Sequence, residues 1–324
     1  MTDKTIALGI DTGGTYTDAV LVDHDSGAVL ASAKALTTRR DLSIGIGEAV
    51  TAVLQQSEAR VTPADVDMVA LSTTLATNAI VEGQGSPVCL LLIGYDPELI
   101  SRYGFERDLV TQDVVYLNGG HDGLGQEAQP LDEDAAREAI LARRERVEAF
   151  AISSYFGVRN PAHELRAREL VYELAGQSQD DLSVTCGHEL TTRLNAVRRA
   201  TTTALNAQLI PLLKELIATV RRSLDELELA APLMVVKGDG TLVSEAVARL
   251  RPIDTILSGP AASVTGAGGL VYRRNLRYAD TGNDTCRADR SGPDPNSQSV
   301  STGLYQIPGR RRGGYIPRDY INIV

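Results

Sequence analysis

A turn rich in glycine, threonine and aspartate lies near the start of the chain, and its residue types suit phosphate chemistry. Residues 9–18 read Gly-Ile-Asp-Thr-Gly-Gly-Thr-Tyr-Thr-Asp and lie between two apolar runs, 5–8 and 19–22. This pattern predicts a β-hairpin whose turn exposes backbone N–H groups. Gly13 and Gly14 lack a Cβ and can adopt positive φ, so a phosphate can approach the main chain closely.

The side chains of the same turn add to this phosphate hypothesis. Thr12, Thr15 and Thr17 are candidate hydroxyl donors, and Asp11 is a candidate ligand of hydrated Mg²⁺ or a group that orients an attacking oxygen. No Gly-Lys-Ser/Thr follows, which excludes a P-loop, and a strand rather than a helix comes next, which excludes a Rossmann fingerprint. An ordinary hairpin turn, with Asp and Gly in their usual turn roles, is the alternative.

Other polar stretches follow predicted buried strands. The run 72–80, which contains Thr74 and Asn78, directly follows the strand 67–71. Its hydroxyls suit either the cap of a helix N-terminus or the lining of a ligand cleft, and the residues leave both open. The turn Lys237–Thr241 follows the strand 233–236 in the same way.

A metal site is a weaker hypothesis. His121 and Asp122 lie in a glycine-rich loop, but adjacent residues rarely face one ion together, and one His is far from a ligand set. A surface turn or a substrate loop is the favoured interpretation of this segment.

The elements that must position these residues alternate between strand and helix. The strand 28–36 completes an antiparallel meander, and Asp41 is the predicted N-cap of a helix that ends near Gln56. Further strands are predicted at 88–93 and 149–156, with helices at 132–144, 161–175 and 193–227, the last divided or kinked by Pro211. Repeated β-then-α units after a meander indicate a mixed α/β sheet rather than a barrel.

Composition bounds the class of protein. The 324 residues carry a net charge of −10, which argues against a nucleic-acid partner, and no apolar run reaches the length of a membrane span. A strand is predicted directly after Met1-Thr2-Asp3-Lys4, leaving no room for a signal peptide. Cys89, Cys186 and Cys286 show no ligand spacing. These features predict a cytoplasmic protein.

The hairpin loop resembles the first phosphate-binding loop of the actin-like ATPase superfamily. Five stretches together, in order over residues 1 to about 270, resemble the A-type (ATPase-bearing) subunit of the hydantoinase/oxoprolinase family. The five stretches are Asp11–Thr15, Thr73–Ala79, Thr202–Ala207, Lys237–Gly240 and Ser258–Ala262. The fold implied is α/β, with actin-like ATPase (ribonuclease H-like) mixed sheets, flanking helices and an incomplete second lobe.

The resemblance implies ATP-dependent opening of a cyclic amide, such as a hydantoin, 5-oxoproline or a related lactam, with ATP and Mg²⁺ as cofactors and a B-type subunit as partner. In that chemistry the γ-phosphate goes to the amide oxygen, and water attacks the activated carbon. The implied catalytic residues are Asp11, Thr15 and Asp239. The implied cofactor-binding residues are Asp11, Thr12, Gly13, Gly14, Thr15, Thr17, Thr74, Asn78, Gly238, Gly240, Ser258 and Gly259. Some family members hold a metal in this subunit, which makes Asp41, His121 and Asp122 candidate ligands.

The sequence departs from the family pattern after residue 270. A second Asp-x-Gly-Gly-Thr loop is expected, but Asp280-Thr281-Gly282 continues into Asn283-Asp284. We therefore predict a domain at 1–180, a truncated second domain at 181–270 and an aberrant, disordered tail at 271–324, which is read out of frame from about Val271. Loss of that loop predicts weak or absent ATPase activity.

Two other functions remain open. A sugar- or acetate-kinase-like phosphotransferase would share the first loop, but it would not predict the stretches Thr202–Ala207 and Ser258–Ala262. A non-catalytic truncated pseudoenzyme or binding module is the third possibility.

Overall fold

The computed structural model describes residues 5–38, 40–57, 61–175 and 182–266. Within these residues the chain forms two main sheets and a two-stranded ribbon, with helices between and around them. The strands are β1 Ile6–Thr12, β2 Tyr16–Asp23, β3 Ala28–Leu36, β4 Val66–Thr73, β5 Val88–Ile93, β6 Val114–Leu117, β7 Gly120–His121, β8 Glu127–Gln129, β9 Ala149–Ser154, β10 Ser183–Cys186, β11 Leu233–Val236 and β12 Leu242–Ser244. The helices are α1 Leu42–Gln56, α2 Leu75–Glu82, α3 Pro97–Arg102, α4 Glu133–Leu141, α5 Ala162–Ala175, α6 Gly187–Leu190, α7 Ala196–Glu226, α8 Glu245–Leu250 and α9, residues 258–266.

The first sheet has six strands in the order β12-β11-β4-β1-β2-β3. The predicted meander forms its β1-β2-β3 side, with antiparallel pairing throughout. β4 pairs parallel with β1, and β11 pairs parallel with β4. Three parallel strands therefore end at the same edge of the sheet, and the polar stretches after β1, β4 and β11 meet there.

The second sheet has four parallel strands in the order β10-β9-β5-β6. All six residues of β5 and all six of β9 are buried, because helices cover both faces of this sheet. One face packs on α4 and α5, and the other on α7. Together the two sheets confirm the prediction of a mixed α/β fold with flanking helices.

Helix α7 connects the cores of the two sheets. Its first half presents Ala200, Ala204 and Ala207 to the four-stranded sheet, whereas its second half presents larger residues such as Ile217 and Val220 to the six-stranded sheet. Pro211 lies between the two halves, but the helix continues through it as one element. A proline removes one backbone hydrogen bond from a helix, and here packing on both sides holds the helix together.

Capping residues set the starts of α1 and α5, and α5 begins one residue after the predicted start at residue 161. Asp41 caps α1 by accepting a hydrogen bond from the Ser43 backbone N–H at 3.0 Å. Asn160 does the same for the start of α5, through the Ala162 N–H at 3.0 Å. The predicted domain boundary near residue 180 and the tail after residue 270 lie outside the described residues. No described helix combines the length and the apolar character that crossing a bilayer requires.

Candidate functional site

The hairpin between β1 and β2 closes through a tight turn. The Gly13 N–H donates to the Tyr16 carbonyl at 3.0 Å, which leaves Gly14 and Thr15 as the two central residues of the turn, and both are exposed. Neither Gly13 nor Gly14 adopts positive φ in this turn. Gly13 is suited to this position by close approach, because a Cβ there would lie 3.1 Å from the Tyr16 carbonyl oxygen.

The N-terminus of α2 faces this turn. The Thr74 N–H donates to the Thr12 carbonyl at 3.3 Å, which joins the start of α2 to the end of β1. The Asn78 side chain donates to the Thr74 hydroxyl at 3.2 Å, and its Nδ2 lies 3.8 Å from the Cβ position of Gly14. Two of the predicted site stretches are therefore adjacent, with the positive end of a helix close to an exposed Gly-Thr turn.

The side chain of Asp11 lies on the sheet face that α9 covers. The Ser72 hydroxyl donates to Asp11 Oδ1 at 2.6 Å, and the Cβ position of Gly259 lies 3.8 Å from the same oxygen. A cavity of about 520 Å³ opens on this face, lined among others by Asp11, Ser72 and Ser263. The carboxylate is thus held between β4 and the start of α9 and borders open space.

Thr12 and Thr17 lie on the opposite face of the sheet from Asp11, because side chains alternate along a strand. Thr17 is fully buried and its hydroxyl bonds the Thr37 hydroxyl at 3.0 Å. Thr12 Oγ1 is buried and has no hydrogen-bond partner among the residues that the structure describes. The Thr12 and Thr17 hydroxyls are therefore turned away from the cavity beside Asp11. Thr15 is exposed, and its carbonyl accepts the Thr37 N–H at 2.9 Å.

The turn after β11 holds Asp239. Its Oδ1 accepts the Thr241 hydroxyl at 2.6 Å and the Thr241 N–H at 3.0 Å, and its Oδ2 pairs with Lys237 Nζ at 3.1 Å. These contacts, first of all the Thr241 hydroxyl, lower the pKa of Asp239 to about 2. Gly238 and Gly240 shape the turn, because Gly240 has φ +82° and a Cβ on Gly238 would lie 2.2 Å from the Ile256 carbonyl oxygen.

Ser258 is fully buried and bonds the main chain of Thr73 twice. Its hydroxyl donates to the Thr73 carbonyl at 2.9 Å and accepts the Thr73 N–H at 3.3 Å. This pair of bonds fastens the start of α9 to the end of β4, and it places the adjacent Gly259 over Asp11.

Asp18 and Lys34 are polar residues of this face that the sequence analysis did not assign to the site. Asp18 lies directly opposite Asp11 in the β1-β2 ladder, and Lys34 lies opposite Asp18 in the β2-β3 ladder. Lys34 Nζ pairs with Asp18 Oδ1 at 3.1 Å, and both residues line the cavity beside Asp11. The sequence could have indicated that Asp18 lies beside Asp11, since a two-residue turn at Gly14 and Thr15 makes positions 11 and 18 cross-strand partners.

The three candidate metal ligands are not brought into one ligand set within the described residues. Asp41 caps α1, and Asp122 Oδ1 accepts the Leu124 and Gln126 N–H groups in a turn. His121 is 6% exposed and its ring lies against His163, with centroids 4.3 Å apart. Burial, and then the neighbouring His163, lower the pKa of His121.

A second polar cluster lies at the carboxyl end of the four-stranded sheet. Glu164 is fully buried, and its Oε2 contacts His188 Nδ1 at 2.5 Å, with Cys186 nearby. The Glu164 carboxylate also accepts the Ser154 N–H at 2.7 Å and the His188 N–H at 2.9 Å. These bonds satisfy the buried carboxylate, and burial raises the pKa of the Cys186 thiol. The cluster therefore serves to close the loops after β9 and β10.

Comparison with protein families gives two matches that together cover most of the described chain. A family described as the hydantoinase/oxoprolinase N-terminal region matches residues 7–175, and one described as hydantoinase/oxoprolinase matches residues 199–282. Among characterised proteins, the caprolactamase subunit alpha of Pseudomonas jessenii is 33% identical over 280 residues, which cover 81% of this chain and 40% of that subunit.

Solved structures give the same result for the fold. The crystal structure of ATP-dependent caprolactamase from Pseudomonas jessenii superposes with a TM-score of 0.66 at 32% identity and covers 79% of this chain and 39% of that one. Nucleotide-free acetone carboxylase superposes with a TM-score of 0.71 at 22% identity, over 84% of this chain and 41% of that one. The chain thus spans about two fifths of the length of these relatives.

Proposed function

Because the chain belongs to the hydantoinase/oxoprolinase family, we propose that it is the first nucleotide-binding lobe of an ATP-dependent enzyme that opens a cyclic amide. The substrate class is a hydantoin, 5-oxoproline or a related lactam. One observation carries the proposal: the exposed Gly14-Thr15 turn, the start of α2 and the Asp11 carboxylate converge at one edge of the six-stranded sheet.

The phosphate-binding part of the proposal rests on backbone donors. The amides of Gly14 and Thr15 and the first turn of α2 supply N–H groups and the positive end of a helix, which favour an anion. The turn leaves space beside Asn78, since the Cβ position of Gly14 lies 3.8 Å from Asn78 Nδ2, an ordinary contact distance. Thr74 and Asn78 line this space and are hydrogen-bonded to each other. Thr12, Gly13 and Thr17 flank the two central residues of the turn and support it.

The residues on the α9 face fit a hydrated Mg²⁺, which prefers oxygen ligands and usually keeps several waters. Asp11 offers one carboxylate that borders a cavity, and Ser72 fixes its orientation at 2.6 Å. Bound Mg²⁺ would supply charge neutralisation of the phosphates. Asp11 would orient the ion through water, whereas Asp239, ionised above a pKa of about 2, would keep a fixed negative charge beside β11.

The proposed reaction transfers the γ-phosphate of ATP to the amide oxygen and leaves ADP. Water then attacks the activated ring carbon, and the ring C–N bond breaks with the amine as the leaving group. A second water hydrolyses the resulting acyl phosphate to a carboxylate and inorganic phosphate. Ser258 and Gly259 then have a positioning role, since Ser258 holds α9 against β4 and Gly259 lets α9 approach Asp11. The relatives named above are subunits or large chains, and we propose that ring opening needs a B-type partner subunit in addition to this chain.

We further propose that this chain alone hydrolyses ATP weakly or not at all. The second phosphate loop is interrupted after Asp280-Thr281-Gly282, and phosphoryl transfer depends on charge-stabilising groups from both sides of the nucleotide. Resequencing tests the frame hypothesis, which fails if no reading-frame shift near Val271 restores a Gly-Gly-Thr loop followed by a strand.

Calorimetric titration of MgATP into the full chain tests the nucleotide site. We expect an affinity at least tenfold weaker for Asp11→Asn, and no change for the control Asp134→Asn, an exposed position on α4.

Addition of the B-type subunit and an in-frame version of the tail should then give ATP turnover that a cyclic amide stimulates. Stimulation by a sugar instead would favour the phosphotransferase, and a flat response to both would favour a non-catalytic module.

A further inference from the structure

A second cavity, of about 330 Å³, lies between the starts of α1 and α2 and the middle of α7. It is separate from the Asp11 face of the sheet. Its lining residues are Arg40, Asp41, Leu42, Leu75, Leu212, Glu215, Leu216, Thr219 and Arg222. This size is at the lower end of the range for small-molecule sites.

The lining is arranged as an apolar floor with a charged rim. Leu216 and Thr219 are buried at 2% and 7% exposure, and Leu42, Leu75 and Leu212 are half-buried. The four charged residues of the lining are all exposed. Such a lining suits a short ligand with an apolar body and charged ends, because the floor excludes water while the rim recognises charge.

The charges are separated along α7. Glu215 and Arg222 are seven residues apart on one helix, which places their backbones about 10 Å apart, with Leu216 and Thr219 between them. Arg40 and Asp41 add one positive and one negative charge from the start of α1. Asp41 is close enough to Arg222 that this guanidinium contributes to the lowered pKa of Asp41, after the larger effect of the Ser43 hydrogen bonds.

Two of the four charged side chains that line the cavity make no polar contact within the described part of the chain. Among the residues that the structure describes, Arg40 and Glu215 have no hydrogen-bond or ion-pair partner, and Arg222 donates only to the Thr219 hydroxyl at 3.3 Å. Asp41 Oδ1 accepts two hydrogen bonds from Ser43, one from the N–H at 3.0 Å and one from the hydroxyl at 2.5 Å. One end of the cavity therefore carries a net positive charge from Arg40, Arg222 and Asp41, and the other end carries the negative charge of Glu215.

The cavity is joined to the proposed phosphate turn by short connections. Leu75 directly follows Thr74 at the start of α2, and the Asp41 N–H donates to the Thr38 carbonyl at 3.0 Å. The adjacent Thr37 N–H donates to the Thr15 carbonyl at 2.9 Å. A ligand in this cavity would therefore contact the same loop that supports the hairpin.

We propose that this cavity binds an unbranched ω-amino acid, with its carboxylate at Arg222 and Arg40 and its ammonium at Glu215. Arginine suits the carboxylate because its planar donors can bind both oxygens. A ring-closed amide carries neither charge, so the cavity would select the ring-opened molecule. The identification of this ω-amino acid as the reaction product rests on the proposed function. The inference that the cavity binds an ω-amino acid does not.

Calorimetric or NMR titration with 6-aminohexanoate, without nucleotide, tests the proposal on the full chain. We expect 6-aminohexanoate to bind at least tenfold more tightly than hexanoate, which lacks the ammonium, and than hexylamine, which lacks the carboxylate. Arg222→Gln should weaken 6-aminohexanoate and hexanoate about tenfold but leave hexylamine unchanged. Glu215→Gln should weaken 6-aminohexanoate and hexylamine but leave hexanoate unchanged.

Two variants on the same helix serve as controls, Arg198→Gln and Glu226→Gln, since both positions are exposed and neither lines the cavity. Equal affinity for the three compounds, absence of binding at millimolar concentration, or equal losses in the control variants would overturn the proposal. The MgATP titration tests the proposed function independently of the 6-aminohexanoate titration. Binding of MgATP without binding of 6-aminohexanoate would refute this inference and leave the proposed function standing, and the reverse result would refute only the nucleotide site.

Discussion

At the level of single residues, Ser258 shows how one hydroxyl can fix two elements. It bonds both the N–H and the carbonyl of Thr73 in a fully buried position. We expect Ser258→Ala to lower the free energy of unfolding by about 1–3 kcal/mol, because buried main-chain groups lose their partner. Chemical denaturation measures this. The control is Ser263→Ala, whose hydroxyl only returns to the Gly259 carbonyl of its own helix, and it should change stability by about 0.5 kcal/mol or less.

His121 gives a prediction about pH. Burial lowers its pKa below the usual value of about 6.5, so the unfolded chain takes up a proton at this residue before the folded chain does. Its contribution to stability is therefore complete above about pH 6.5 and is lost as the pH falls toward the folded-state pKa. Urea denaturation between pH 7 and pH 5 should show a shallower pH dependence for His121→Phe than for the unchanged chain. Identical slopes would contradict this assignment.

The residue scale also shows where sequence reasoning ends. Asp11, Thr74 and Asn78 were predicted to meet, and the structure places Thr74 and Asn78 against the hairpin that follows Asp11. The sheet face on which the Thr12 and Thr17 hydroxyls lie was not predicted, because a list of hydroxyls in one loop ignores the alternation of side chains along its strands. The cavity on α7 could not be predicted, since it joins residues from α1, α2 and α7 that no local pattern connects.

At the level of elements, α1 carries two glycines with opposite expected effects. A Cβ on Gly45 would lie 2.6 Å from the Leu36 carbonyl oxygen of β3, whereas a Cβ on Gly47 would meet nothing within 4 Å. Gly47→Ala should therefore stabilise the protein by about 0.5–1 kcal/mol, the usual gain within a helix. Gly45→Ala should destabilise it by about 1–3 kcal/mol, because α1 must move away from the sheet. Equal shifts in denaturation midpoint would contradict this packing.

Elements with strong local signals were predicted well. The strand Ala28–Leu36, the helix Leu42–Gln56 and the strand Val88–Ile93 have the predicted bounds, because capping residues and uninterrupted apolar runs define them. The pairing of β11 beside β4 was not predicted, since it joins strands about 160 residues apart and depends on packing against α7.

At the level of the whole molecule, the two sheets share α7 and should unfold together. Cys89 and Cys186 are buried in the four-stranded sheet, and burial raises the pKa of Cys89 to about 12, which leaves it unreactive. In a Cys286→Ser background, we expect both thiols to react with a thiol reagent only over the denaturant range in which far-UV circular dichroism is lost. Reaction at lower denaturant concentration would show that the four-stranded sheet opens on its own.

The position of α7 in the chain also has a consequence for synthesis. Neither sheet is complete when residue 175 leaves the ribosome. One face of the four-stranded sheet and part of the α1-covered face of the six-stranded sheet wait for α7, and the free edge of β4 waits for β11. Residues 176–236 take roughly 3–12 s to translate at about 5–20 residues per second. During that interval the nascent chain exposes apolar strands to its surroundings, so chaperone capture should be concentrated in this window and should fall once Val236 has emerged.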